Sequence, residues 1–235
     1  YNTHYLSFNA NMLANEMYID SADTRKNIVS LGKLLGYTPT SPRAPIANID
    51  ILVNDGSGAT ITLAKGTAFD TTVDGTPYQF VTNADLTITP TSGVYKFENC
   101  KIYEGTLASF NYTVNTSDVD QKFIIPSADA DTSTLTVTIQ NSATDTTTNI
   151  FTLASGYQGL NDTSRVYFLQ EGEDGKFEVY FGDGIVGKAL DDGNIVKLQY
   201  IVTNRELANG ASSFTLNGSI DGFSNVTITT NSNAQ

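Results

Sequence analysis

KFEVYFGDGIVGKALDDGNIVKLQYIVT, residues 176–203, is the stretch whose reading decides the fold. Phe177, Val179 and Phe181 alternate with Lys176, Glu178 and Tyr180, the two-residue period of a half-buried strand. Gly182-Asp183-Gly184 then interrupts it with residues that tolerate positive φ. Asp191-Asp192-Gly193-Asn194 forms a second turn cluster, and Ile195, Val196, Leu198, Tyr200, Ile201 and Val202 make another β-prone run. The stretch predicts two successive strands joined by a loop of fixed shape. Residues 182–187 also spell GxGxxG, which binds a dinucleotide only where a helix N-terminus follows to hold the pyrophosphate. Residues 188–194 run into a turn and a strand instead. Gly182, Asp183, Gly184, Gly187 and Gly193 are therefore read as structural turn residues, with no cofactor.

Composition agrees with a β-rich chain. Charged residues are only 16% of the 235, Thr, Ser and Asn are abundant, and there are 19 Gly and no Trp, a mixture that favours strands and turns over helices. The length is ample for a hydrophobic core. With 25 acidic against 13 basic residues the formal net charge is −12, which repels phosphate backbones and anionic lipid, so neither nucleic acid nor a membrane surface is expected as partner. No apolar run is long enough to span a bilayer. The chain opens at Tyr1 rather than Met, as an internal fragment or a processed product would. Cys100 is alone, which excludes a disulfide framework and a multi-cysteine zinc site.

The first 37 residues differ from the rest. Tyr5, Phe8 and Met12, with Leu6, Leu13 and Met17, recur at helical spacing. Ser21 is the expected N-cap of a second helix, with Asp23 in its first turn, and Ile28, Leu31 and Leu35 line one face. Gly36 is the expected stop, before Pro39, Pro42 and Pro45. Two short helices cannot bury their apolar faces on each other alone. Leu6, Leu13, Met17, Ile28, Leu31 and Leu35 are thus a candidate partner-contact face, while completion of the local core is the plainer alternative.

From residue 46 the pattern is β. Ile49, Ile51 and Val53 alternate, Asn54-Asp55-Gly56 signals a turn, and residues 60–63 form a returning strand. Asp74-Gly75 marks a hairpin; residues 86–89 and 94–97 continue the alternation around a turn at 90–93, and 101–105 close the section. At Phe110 the pattern restarts with strands at 110–114, 122–125, 135–139, 150–153 and 166–169, and after Asn204 it becomes sparse, with 214–216, Ile220 and 226–230. The expected fold class is mainly β with an N-terminal α-helical segment and two small β domains, one inserted in the other: 1–45 helical, 46–105 plus 206–235 the first β domain, and 106–205 the second, inserted one.

Catalytic sets are hard to assemble. His4, the sole histidine, lies in the helical opening, far in sequence from Cys100, which reads as a small buried apolar residue. Glu171, Glu173 and Asp174, and separately Asp129 and Asp131, could offer oxygens to calcium, but lack the ordered spacing of a dedicated loop, so solvated turns are preferred and no metal is expected. Glycoside hydrolysis needs two carboxyls flanking a sugar groove, and the missing Trp weighs against a carbohydrate platform.

Residues 166–204, VYFLQEGEDGKFEVYFGDGIVGKALDDGNIVKLQYIVTN, resemble baseplate wedge proteins of contractile-tailed (myovirus-type) phages, within the wider baseplate J-like family. The resemblance extends to residues 207–211, 65–69 with 78–80, Ile125-Pro126 with 131–135, and the helical opening 11–39 with Arg25 and Leu35-Gly36-Tyr37. Arg205 departs from it, standing where a glycine or small residue is expected before Ala208-Asn209-Gly210. The resemblance implies a virion structural component, not an enzyme. It implies a protein that dimerises and joins other baseplate wedge proteins into a ring around the tail hub. That ring rearranges on sheath contraction; it is located in the virion tail baseplate and assembled in the host cytoplasm, with no small-molecule substrate. The alternative reading is a carbohydrate-binding or adhesin-type β module of a virion or cell surface.

Overall fold

A computed structural model describes residues 2–35, 40–54, 58–172 and 175–235. The chain is mainly β with an N-terminal helical segment. Two helices, α1 (Asn2–Glu16) and α2 (Arg25–Leu34), come first. They are followed by β1 (Ile46–Val53), β2 (Ile61–Leu63), β3 (Ala68–Val73), β4 (Thr76–Thr82), β5 (Leu86–Ile88), β6 (Tyr95–Glu104) and β7 (Thr106–Thr113). The remaining strands are β8 (Phe123–Ile124), β9 (Ala130–Gln140), β10 (Thr148–Leu153), β11 (Val166–Glu171), β12 (Phe177–Phe181), β13 (Ile195–Val202), β14 (Thr215–Asn217) and β15 (Val226–Ser232). Two compact units result: Tyr1–Thr40 with Val119–Ala128 and Leu153–Ala189, and Ser41–Asp118 with Asp129–Thr152 and Leu190–Gln235.

In the second unit a six-stranded sheet runs β14-β3-β4-β6-β1-β15, and β7-β13-β9-β10 pair in that order. The two-residue period is plain in β1, where Ala47, Ile49, Ile51 and Val53 are buried and the residues between them are less so. Together with Phe69, Phe80, Phe97 and Ile102 they form the main core, and Phe214 meets the Phe80 ring edge-on at 5.0 Å. Val73 and Thr76 face each other across Asp74 (φ 49°) and Gly75 (φ 81°), the doubly left-handed turn that matches strand twist. β13 sits between β7 and β9 and buries Val196, Leu198 and then both Tyr200 and Ile201. The break in alternation coincides with a register shift against β9, where the Thr134 hydroxyl accepts the Ile201 amide.

The first unit holds the helices and the strand set β11-β12-β8. Glu171 stands opposite Phe177 and Val179 opposite Phe123, so the opening stretch of sequence contributes β12 here and β13 to the other unit.

Three expectations change. Residues 61–63 do not return along β1, whose two sides are taken by β6 and β15; they pair with β5. Residues 95–97 and 101–104 belong to one strand, β6, bulged where Asn99 takes φ 51°. Ser21 is not a helix N-cap. Its hydroxyl donates to the Asn15 carbonyl, α2 begins four residues later, and the first helical amides reach the Thr24 carbonyl, leaving no acidic residue in the first turn. The expected stop at Gly36 and Pro39, the Asp55-Gly56 turn, and Glu173 and Asp174 lie outside the described residues.

Candidate assembly interface and its supporting turns

Every residue from Thr3 to Asn15 is exposed. Leu6, Leu13 and Met17 are each 70% exposed, and Tyr5, Phe8 and Met12 stand in solvent with them. Apolar side chains spread around a helix are the pattern of a helix meant to be enclosed, and full burial of each is worth about 1.5–3 kcal/mol. The partner-contact set drawn from sequence is therefore not one uniform face. Leu6 and Leu13 on α1 and Met17 just after it are exposed, Ile28 is narrowly so, Leu31 is half-buried, and Leu35 is exposed in the turn after α2.

α2, unlike α1, is anchored in its own unit. Arg25 donates from Nε to Glu171 Oε1 (3.1 Å) and from Nη2 to Glu171 Oε2 (3.2 Å), and the Glu171 side chain is 2% exposed. A two-pronged guanidinium–carboxylate pair of this kind fixes direction as well as distance. The corner between the helices is tied by Glu16, which accepts from the Asn27 side chain, the amides of Asp23 and Thr24, and the Thr24 hydroxyl. These bonds, Asn27's foremost, hold the Glu16 carboxyl below its usual range.

The glycine loop after β12 is a self-closed turn. No helix follows it among residues 182–194, which removes the platform a pyrophosphate would need. Asp183 Oδ1 accepts the amides of Val186 and Ile185, which hold its carboxyl below the ordinary range. The Gly184 amide reaches the Gly187 carbonyl, and a Cβ on Gly182 would fall 2.2 Å from the Gly187 carbonyl carbon, so the two backbones touch because neither side chain exists. The turn at Gly193 (φ 78°) is locked from outside. Gly193 donates to the Val114 carbonyl, the Val114 amide to that of Asn194, and Asn194 Nδ2 to that of Asn141.

Sequence reasoning missed the point where the chain passes between the two sheets of the larger unit. Glu104, the last residue of β6, is fully buried. It accepts from the Thr203 hydroxyl (2.6 Å), the Asn204 amide (2.8 Å) and Asn204 Nδ2 (2.7 Å), residues that follow β13. Between them Gly105 holds φ 116°, and a Cβ there would lie 2.1 Å from the Val202 carbonyl oxygen. Arg205 (φ 61°) adds an ion pair to Asp129 at 2.7 Å, and its left-handed backbone explains why a glycine was expected at that position. Partners a hundred residues apart leave no local mark; the one available signal was an acid next to Gly at the end of a strand.

The groups weighed for chemistry are engaged structurally or stand apart. His4 is exposed on α1. Cys100 is buried in β6, and burial, with Asp50 adding to it, pushes its thiol up to about 11. Glu171 belongs to the Arg25 pair and Asp129 to that of Arg205, while Asp131 accepts the Ala44 amide and the amide and hydroxyl of Ser133. Glu178 meets Lys122 at 3.4 Å and the Tyr180 hydroxyl; burial first, then this carboxylate, raises Tyr180 to about 12. Among the described residues no three His, Cys, Asp or Glu side chains gather as a metal would need.

No family model matches the chain. A curated protein that it is similar to is baseplate wedge protein gp6 of Enterobacteria phage T4, 26% identical over 252 aligned residues. The alignment takes in 97% of this chain and 36% of that protein, so the chain spans little more than a third of its relative's length. By that alignment over nearly its whole length, the chain is a sequence relative of a phage baseplate wedge protein.

Proposed function

We propose that the chain is a structural part of a phage tail baseplate wedge, built into the virion tail from the host cytoplasm and doing no chemistry. The observation that carries this reading is the similarity to a wedge protein along 97% of the chain. Within it, α1 and the outer side of α2 bind a second copy and other wedge proteins. The support is their apolar exposure, since α1 buries nothing in its own chain from Thr3 to Asn15. Repetition of one such contact by rotation closes a ring, here around the tail hub, which rearranges when the sheath contracts.

The domain division proposed with it follows the strands. All six strands of the six-stranded sheet fall within 46–105 or 206–235, and β7 to β13 all fall within 106–205. The insert would begin and end on a paired couple, Thr106 opposite Val202. Cross-linking of assembled particles with mass spectrometry tests the assembly. Links from Lys26 or Lys33 to a second copy or to another wedge protein are expected; links only within one copy, or none to baseplate proteins, would refute the reading.

A further inference from the structure

The chain holds two Asn-Gly pairs, Asn209-Gly210 and Asn217-Gly218, and the structure treats them differently. In such a pair the glycine nitrogen can attack the asparagine side-chain carbon, because glycine has no Cβ to obstruct the approach. Attack needs that nitrogen free of other bonds. The Gly210 amide is not free: it donates to the Ala234 carbonyl at 2.9 Å, and the Ala234 amide donates in turn to Ala211. Gly218 stands otherwise. The Thr82 amide donates to the Thr67 carbonyl, so the odd-numbered residues of β3 aim their backbone groups at β4 and the even-numbered ones at β14. Ala68 and its opposite, Asn217, are thus a bonded couple, and the next amide, that of Gly218, points away from β3. β14 is the last strand of its sheet on that side. Asn217 and Gly218 are both exposed, and Gly218 takes φ 112°. The Asn217 side chain donates from Nδ2 to Asp70 Oδ2 at 2.9 Å, a diagonal tie between β14 and β3 that lies open to water.

We propose that Asn217-Gly218 is a site of spontaneous modification, at which Asn217 becomes aspartate or isoaspartate and the β14 edge loosens as a result. The Gly218 nitrogen gives its proton to hydroxide and bonds to Asn217 Cγ. The Cγ–Nδ2 bond breaks, and Nδ2 takes a proton from water and leaves as ammonia. Water then opens the resulting imide ring at one carbonyl or the other, and no electrons are exchanged. The product cannot keep its tie to Asp70. Where an amide donated to a carboxylate, two carboxylates now meet, and like charges across neighbouring strands repel. Isoaspartate also lengthens the backbone by a methylene, which disturbs the register of β14 on β3.

The test ages the 235-residue chain in mildly alkaline buffer made with heavy-oxygen water, then digests it in ordinary water for peptide mapping by mass spectrometry. Heavy oxygen at residue 217 is expected, with residue 209 converted at least about tenfold more slowly, because attack there waits on local opening. The same chain held unfolded in denaturant should convert both residues at similar rates. Equal rates in the folded chain, or no label at 217 by the time the unfolded chain has converted, would overturn the proposal. Asn217→Asp installs one product directly and should lower the urea midpoint, and Asp70→Asn added to it should restore the midpoint by putting a donor back between the strands. An unchanged midpoint in Asn217→Asp would refute the loosening of β14.

Discussion

Three neutral donors converge on Glu104 at the end of β6, and the carboxylate is out of water. Removing it strands the buried Thr203 hydroxyl and takes the acceptor from Asn204, so Glu104→Ala should cost about 3 kcal/mol of unfolding free energy in a urea melt. Gly105→Ala should cost more than about 3 kcal/mol or prevent folding, because the added carbon overlaps a backbone carbonyl and not a movable side chain. Asp50 gives a pH signature. The Asn99 amide, then the Asn231 side chain, hold its carboxyl below the ordinary carboxylate range. A depressed carboxyl contributes stability that is complete above the unfolded value and lost as pH falls through the lower folded one. Melts taken from about pH 5 to about pH 2 should show the acid loss of stability shrink in Asp50→Asn. None of these residues announced itself in sequence. Asn99 looks like any polar strand residue until its left-handed φ and the Asp50 bond 49 positions away are known.

At the scale of elements, what is local was legible and what is long-range was not. The alternation of Phe177, Val179 and Phe181 predicted β12, and Asp74-Gly75 predicted the hairpin between β3 and β4, because side-chain period and positive φ are set by neighbours in the chain. The pairing of β2 was misread, since residues 61–63 carry no sign that β1 is already occupied on both sides. The start of α2 lies three residues beyond the expected one because Ser, Asp and Thr all precede it and only the Glu16 network chooses among them. The candidate face was legible as a set of apolar residues, but their spread over exposed, half-buried and extra-helical positions depends on what α2 docks against. Arg25→Ala takes two charge-assisted bonds from buried Glu171 and should cost about 1–3 kcal/mol, with faster amide exchange over residues 25–34 than elsewhere.

For the whole molecule, the contrast lies between strands that bury their apolar residues and a helix, α1, that is exposed from Thr3 to Asn15. Charged substitutions on that helix should separate folding from assembly. Leu6→Glu with Leu13→Glu should leave unfolding free energy within about 0.5 kcal/mol, since both side chains are exposed, yet abolish the proposed self-association, read as concentration dependence in sedimentation velocity. The junction at Glu104 and Gly105 carries a mechanical consequence. Strands β6 and β13 end side by side there, joined by three hydrogen bonds from Thr203 and Asn204 to the buried Glu104 carboxylate. Tension applied along the chain would therefore be shunted straight from residue 104 to residue 203. The hundred residues threaded between those points would ride through a pull on the chain without being stretched by it.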